Sequence, residues 1–145
     1  MQAVVCAISR EVDIYVALRR ASDLAASLGF GDIDRSKIEI AVLELTRNIL
    51  AHAGAGELQI EQIAHEGRTG IAIEARDRGP GIADIELAMR DGYSTASSLG
   101  AGLPGVQRLM DSFEIESTVG AGTRVRAIKW LPGRSAPGGP KGRWP

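Results

Sequence analysis

Apolar positions in the first third of the chain predict a strand followed by a helix. Near the N-terminus, Val4, Cys6 and Ile8 alternate with their neighbours, which is typical of a strand. From about residue 13 to residue 28, apolar residues recur at helical spacing, and Gly29 stands where a left-handed C-cap is expected. This helix is expected to turn one face inward.

A second helix has the clearest apolar stripe in the chain. We expect Asp34 to be its N-cap, and Gly54 and Gly56 to stop it. Its apolar residues recur at helical steps on one side: Ile38, Val42, Leu45 and Ile49. That side is therefore expected to face the core.

The second half of the chain predicts mainly strands and turns. Alternation in segments 57–64 and 69–76, separated by His65, Glu66 and Gly67, favours an antiparallel hairpin. Further elements are a glycine-rich turn (77–81), a short helix (84–89), a polar loop (91–102), a helix (103–111) and two strands (113–119 and 123–130). We expect one domain over residues 1–131 and a disordered, Pro/Gly-rich tail over 132–145.

Strands and helices segregated in this way predict an α+β fold. We expect a two-layer sandwich in which helices cover one face of a mixed, mostly antiparallel sheet. The other face would be open to solvent or to a partner.

Composition excludes several classes of function. The 17 Lys and Arg residues nearly balance the 18 Asp and Glu residues, so no net field attracts nucleic acid or an anionic membrane. The chain has two residues each of Trp, Tyr and Phe, too few for a base-stacking surface. The single cysteine, Cys6, is expected to be a small buried residue in a reducing compartment. Without a long apolar run, the expected location is the cytoplasm, and the expected partners are proteins and small molecules.

Glu44 and Asn48 lie one helical turn apart on the second helix. A carboxylate beside an amide oxygen suits Mg2+, which keeps several waters and is otherwise bound by phosphate oxygens. In isolation, the pair is more typical of a solvated helix edge.

Asp77, Gly79 and Gly81 follow a strand as Asp-x-Gly-x-Gly. The carboxylate can accept a hydrogen bond from an exocyclic amine, while the glycines let the backbone approach a flat ring. That chemistry is compatible with adenine, although a tight turn with an Asx cap has the same pattern.

Gly100, Ala101, Gly102 and Leu103 lead into a helix whose free N–H groups can bind phosphate. The segment lacks the Gly-Lys-Ser/Thr of a P-loop. Hydroxyl groups of the preceding loop can add contacts to phosphates: Ser94, Thr95, Ser97 and Ser98.

Four motifs in order resemble the motif series of the GHKL ATPases: Glu44-x-x-x-Asn48, Asp77-x-Gly79-x-Gly81, Gly100-x-Gly102-Leu103 and Gly120-x-Gly122-Thr123. The resemblance covers nearly the whole chain to Trp130 and implies the Bergerat nucleotide fold. It implies that Asp77 binds the adenine amino group and that Thr123 supports Asp77 or the adenine. Asn48 would bind Mg2+, Glu44 would be the general base, and residues 100–105 would form a lid over the phosphates of ATP.

Within that family, the chain is most similar to the stand-alone serine/threonine kinases of bacterial partner switching, of the RsbT-type stressosome branch. This resemblance implies STAS-domain substrates and a PP2C-type phosphatase that the released kinase binds and activates. The leading alternative is an anti-sigma factor that sequesters a sigma factor and phosphorylates its antagonist. A third possibility is a nucleotide-dependent switch without phosphoryl transfer.

Overall fold

The computed structural model describes residues 3–90 and 102–133. The elements, in chain order, are β1 (Ala3–Ile8), α1 (Glu11–Leu28), α2 (Asp32–His52), β2 (Gly56–His65), β3 (Arg68–Asp77), α3 (Ile85–Ala88), α4 (Gly102–Leu109), β4 (Ser112–Thr118) and β5 (Gly122–Trp130). None of the helices in these two ranges is long and apolar enough to cross a membrane.

The described strands form one five-stranded sheet in the order β1-β2-β3-β5-β4, and every pairing in it is antiparallel. Helices α1, α2 and α4 contribute buried residues to a core on one face of this sheet. The predicted two-layer α+β sandwich with helices on one face is confirmed, but the sheet formed by the described strands is antiparallel throughout and not mixed. β3 is the central strand and β5 pairs with it, so their ends at Asp77 and Thr123 lie next to each other at one end of the sheet.

The core is built mainly from aliphatic side chains, which come from the inner faces of the helices and of the sheet. All four residues of the predicted α2 stripe are at most 2% exposed: Ile38, Val42, Leu45 and Ile49. They share a cluster with inward-facing strand residues such as Leu58, Ile60 and Ile73. Cys6 is also buried there, as expected, and burial raises the pKa of its thiol.

The ends of α2 differ from the expectation. Asp34 is not the N-cap, because the helix begins at Asp32 after the extended residue Gly31. Asp32 and Asp34 lie instead in the first turn, where their carboxylates face the positive end of the helix dipole. At the other end, Ala53 is the C-cap and Gly54 adopts a positive φ of 79°, whereas Gly56 already belongs to β2.

The β2–β3 hairpin has a shorter turn than expected. His65 is the last residue of β2 and pairs with Arg68, so Glu66 and Gly67 alone form the turn. Both have positive φ, which is the backbone geometry of a type I′ hairpin turn.

A charged network covers part of the sheet face that carries no helix. Glu74 is 3% exposed although it lies on this face, because three arginines surround its carboxylate: Arg76, Arg124 and Arg126. Burial opposes the charge of Arg124, but Glu74, Glu116 and Glu114 outweigh it and raise the pKa of Arg124. The charged side chains of this network therefore neutralise one another on the helix-free face.

Candidate functional site

The C-terminal end of α2 packs directly on the turn that follows β3. A Cβ atom built on Gly79 would lie 2.6 Å from the Cβ of Ala53. One built on Gly56 would lie 2.8 Å from Cγ2 of Ile49 and 3.2 Å from Cβ of Asp77. The helix that carries the first motif and the turn that carries the second are therefore in contact, and glycine is required where they meet.

Glu44 and Asn48 lie on the last three turns of α2. Glu44 is 3% exposed and Asn48 is half-buried. Between them, Arg47 is half-buried, and like Glu44 it interacts with other groups of the protein. A carboxylate is one of the groups that can act as a general base, so Glu44 stays the candidate for that role.

The donors on α2 fit a magnesium ion bound mainly through a nucleotide. Within 3–90 and 102–133, no group of three His, Cys, Asp or Glu side chains could hold a metal ion. A carboxylate and an amide oxygen instead match the usual Mg2+ site, in which phosphates and waters supply the remaining ligands. Asn48 would be the protein's ligand in that site, one helical turn from the carboxylate of Glu44.

Asp77 is the last residue of β3, and its side chain is half-buried. Its Oδ1 accepts a hydrogen bond from the Gly79 N–H at 2.9 Å, which fixes the carboxylate against the turn. The Asx-turn interpretation is therefore confirmed. Adenine binding by Asp77 stays a prediction, and it would use the second carboxylate oxygen.

Thr123 pairs with Asp77 across the β3–β5 ladder, on the same face of the sheet. Its hydroxyl lies 2.7 Å from the hydroxyl of Ser117 on β4. Ser117 also accepts a hydrogen bond from the Ile82 N–H at 2.7 Å. The turn after Asp77 is therefore tied to the β4–β5 hairpin through one serine.

Ser117 was missed by the sequence reasoning. The signal was present, because Phe113 and Ile115 point to the core and the strand period of two places Ser117 on the same face. Only the register of β4 against β5 brings that hydroxyl opposite Thr123.

Two more glycines are required where the turn meets the hairpin. Gly122 has a φ of 124°, and a Cβ on it would overlap the carbonyl oxygen of Asp77. Gly81 has a φ of 79°, and a Cβ on it would overlap the carbonyl oxygen of Thr118. These glycines allow backbones to approach at the end of the sheet where the base is expected.

Helix α4 begins at Gly102 and packs against α2, with Gly102 and Leu103 both buried. Its C-terminal end is held by Lys129, whose Nζ donates a hydrogen bond to the Leu109 carbonyl at 2.8 Å. Gly100, Ala101 and the loop hydroxyls of Ser94, Thr95, Ser97 and Ser98 lie outside the described residues. The expected lid is therefore represented only by its final residues, 102–105.

A cavity of about 730 Å3 opens at the ends of the central strands. Asp77, Arg78, Ser117 and Thr123 are among its lining residues, but Glu44 and Asn48 are not. Four other lining residues belong to the helix-free face of the sheet: Glu57, Arg76, Glu116 and Arg124. The cavity therefore approaches the end of the sheet where adenine is expected from the helix-free face. Glu44 and Asn48 of α2 lie on the opposite face of the sheet.

The chain is similar to proteins of one family. Residues 9–129 match the model of the histidine kinase-like ATPase domain. The serine/threonine-protein kinase RsbT of Bacillus subtilis (strain 168) is 51% identical over 124 residues, covering 86% of this chain and 93% of the relative. An anti-sigma F factor of Thermoanaerobacter sp. (strain X514) is 38% identical over 98 residues, covering 65% and 68%.

The fold also has a solved counterpart. In the crystal structure of the RsbU and RsbW domains of Rv1364c from Mycobacterium tuberculosis, the match has a TM-score of 0.61 and 16% identity. It covers 94% of this chain and 35% of that chain. These findings confirm the expected family, fold and enzyme class.

Proposed function

The chain belongs to the histidine kinase-like ATPase domain family, and we propose that it is an ATP-dependent serine/threonine kinase of a bacterial partner-switching pathway. Its substrates would be STAS-domain proteins in a stressosome-type pathway of the cytoplasm. Residues 1–131 would be the kinase domain and 132–145 a tail. The observation that supports this proposal best is the direct packing of α2, which carries Glu44 and Asn48, on the turn that carries Asp77 and Gly79.

In the proposed reaction, the γ-phosphoryl group moves from ATP to a serine or threonine hydroxyl of the partner. The bond between the γ-phosphorus and the bridging oxygen breaks, and the hydroxyl oxygen forms the new bond. Glu44 takes the hydroxyl proton, and its buried carboxylate is held on a helix packed into the core. Mg2+ bound by the phosphates and Asn48 would neutralise charge on the transferring group.

The residues that bind the adenine base would be different from those that take part in phosphoryl transfer. Asp77 would accept a hydrogen bond from the adenine amino group, beside Thr123. Residues 100–105, including Gly100, Ala101, Gly102 and Leu103, would cover the phosphates with backbone N–H groups. Arg78, which is exposed and lines the cavity, would be available to contact a phosphate or the partner.

The test is intact-mass analysis of STAS-domain proteins from the same genome after incubation with this protein and Mg-ATP. We expect one added phosphate with the wild type and none with Glu44→Gln, while ATP affinity stays within about threefold because the glutamine keeps the shape of the side chain. Glu39→Gln removes another carboxylate from α2, where Glu39 is half-buried, and is the matched control. Transfer by Glu44→Gln at the wild-type rate would eliminate Glu44 as the base.

Release of the kinase would be its second output. Once its STAS partner is phosphorylated, the kinase would bind and activate a PP2C-type phosphatase. We expect phosphatase activity on a phosphorylated STAS protein to rise when the free kinase is added. Activity that is independent of the kinase would contradict this part of the proposal.

Anti-sigma function is the second candidate, because several similar proteins are anti-sigma F factors, with 38% identity over 98 residues in one case. A stable complex with a sigma factor in size-exclusion chromatography, together with failure to stimulate any PP2C phosphatase, would favour it. ATP binding without transfer to any protein would favour a nucleotide-dependent switch.

A further inference from the structure

Lys129 of β5 is a nearly buried lysine on the face of the sheet that the helices cover. Its side chain is 9% exposed, and its Nζ donates a hydrogen bond to the Leu109 carbonyl at 2.8 Å. The same Nζ lies 3.8 Å from a carboxylate oxygen of Asp34 and 3.7 Å from one of Asp111. Leu109 is the last residue of α4, and Asp34 lies in the first turn of α2. One ammonium group therefore joins β5, α2 and α4.

These three elements carry separate parts of the proposed ATP site. α2 carries Glu44 and Asn48, β5 carries Thr123 near its start, and α4 begins at Gly102, in the segment expected over the phosphates. In each element, Lys129 makes its contact at the end that is remote from these residues. It can therefore act on a nucleotide only through the placement of the elements that it joins.

A buried ammonium is an expensive way to fill space, because its desolvation is offset only by several oxygen partners. The advantage is direction. A hydrogen bond to the last carbonyl of α4 depends on the angle of approach, whereas apolar packing does not. A cation at the C-terminal end of a helix also complements the negative end of the helix dipole. The contact between Lys129 and Leu109 therefore specifies how α4 is oriented and adds to its packing.

The residue after the last turn of α4 is already fixed to β5. The Asp111 N–H donates to the Ile128 carbonyl at 2.8 Å, and Oδ2 of Asp111 accepts the Trp130 N–H at 2.7 Å. These bonds determine where α4 ends, but they leave its tilt about that point open. α4 has eight residues and is about 12 Å long, so a tilt of about 5° would move its first residue by roughly 1 Å. A shift of that size is enough to break an N–H···O hydrogen bond.

Building on the proposed function, we propose that Lys129 is a positioning residue, which holds α4 at the angle that brings its first N–H groups to the phosphates of ATP. The ammonium does not touch the nucleotide. Its loss would release the tilt of α4, and at least one hydrogen bond between an N–H group and a charged phosphate would be lengthened. Loss of such a bond corresponds to about tenfold or more in the dissociation constant.

The test is calorimetric titration of the full chain with ATP. We expect Lys129→Met to bind ATP about tenfold more weakly than the wild type. Lys37→Met controls for charge, because Lys37 is a half-buried lysine about one turn beyond Asp34 on α2. Ile63→Val controls for stability, because it removes a buried methylene group in the cluster on the helix-free face, away from α4. Both controls should bind ATP within twofold of the wild type.

Hydrogen exchange separates a released α4 from a general loosening of the fold. In Lys129→Met, the amides of residues 102–109 should exchange at least tenfold faster, whereas those of residues 71–75 in β3 should keep their wild-type rates. Asp34→Asn removes one partner of the ammonium and keeps the bond to Leu109, so it should weaken ATP binding about two- to fourfold. This variant decides the question if Lys129→Met does not fold.

The proposal would be overturned by wild-type ATP affinity in Lys129→Met, or in Asp34→Asn if that variant has to decide. It would also be overturned by an equal loss of affinity in Ile63→Val, or by exchange that rises evenly in α4 and β3. A wild type that binds ATP but transfers no phosphate would refute the kinase function and leave the role of Lys129 to these measurements. A wild type that does not bind ATP would refute both.

Discussion

Replacement of Asp77 by asparagine tests the base end of the site most directly. Oδ1 of Asp77 accepts the Gly79 N–H at 2.9 Å, and an asparagine would keep this bond through its own carbonyl oxygen. The new NH2 group then takes the place of Oδ2, the oxygen expected to face the adenine amino group. An acceptor is thereby replaced by a donor, although the local turn geometry is preserved.

The expected cost follows from that exchange. Loss of a hydrogen bond to a charged group amounts to about 1.5–3 kcal/mol, which corresponds to about 10- to 150-fold in the dissociation constant. Calorimetric titration with ATP would measure it, and the melting temperature would show that the variant folds. Asp84→Asn is the control: Asp84 caps α3 by accepting the Leu87 N–H at 3.0 Å, and asparagine caps equally well. An Asp77→Asn affinity equal to that of the wild type would refute the assignment of Asp77 to the base.

Three further predictions concern stability. Lys129→Met should lower the free energy of unfolding by about 1–3 kcal/mol in a urea titration. The reason is that the Lys129 ammonium donates to the Leu109 carbonyl and lies within 3.8 Å of two aspartates. An unchanged free energy would show that this contact does not hold α4. Hydrogen bonds from two backbone N–H groups lower the pKa of Asp13. The stability that its carboxylate adds to the fold should therefore be complete at neutral pH and disappear as the pH falls through the folded-state pKa. Urea titrations across pH 2–7 would contradict this if the loss of unfolding free energy in Asp13→Asn, relative to the wild type, did not shrink in acid. Gly122→Ala should cost more than about 1–2 kcal/mol in a thermal melt, because φ is 124° and the new Cβ would overlap a backbone oxygen of β3, whereas Gly133→Ala, where the nearest atom is 3.9 Å away, should be nearly neutral.

The local sequence was sufficient to predict most helices and strands, because apolar periodicity and the positions of glycines determine the backbone conformation over only a few residues. The α2 stripe and the left-handed C-cap at Gly29 were predicted from spacing alone, and both are observed. Element ends were less predictable. The sequence predicts Asp34 as the N-cap, but the N-cap is Gly31, three residues earlier, since Gly31 already has the extended backbone that precedes a helix.

For the site, the sequence by itself determined which chemical groups are present and in what order: Glu44 and Asn48 on one helix, Asp77 with its glycines, and Thr123 after a glycine turn. Only the tertiary structure decided which of them meet. Strand order places β3 beside β5, so Asp77 faces Thr123 across 45 intervening positions, and register adds Ser117 from the edge strand β4. Pairing between distant strands depends on packing of the whole sheet against its helices, and no local pattern of residues encodes that partner.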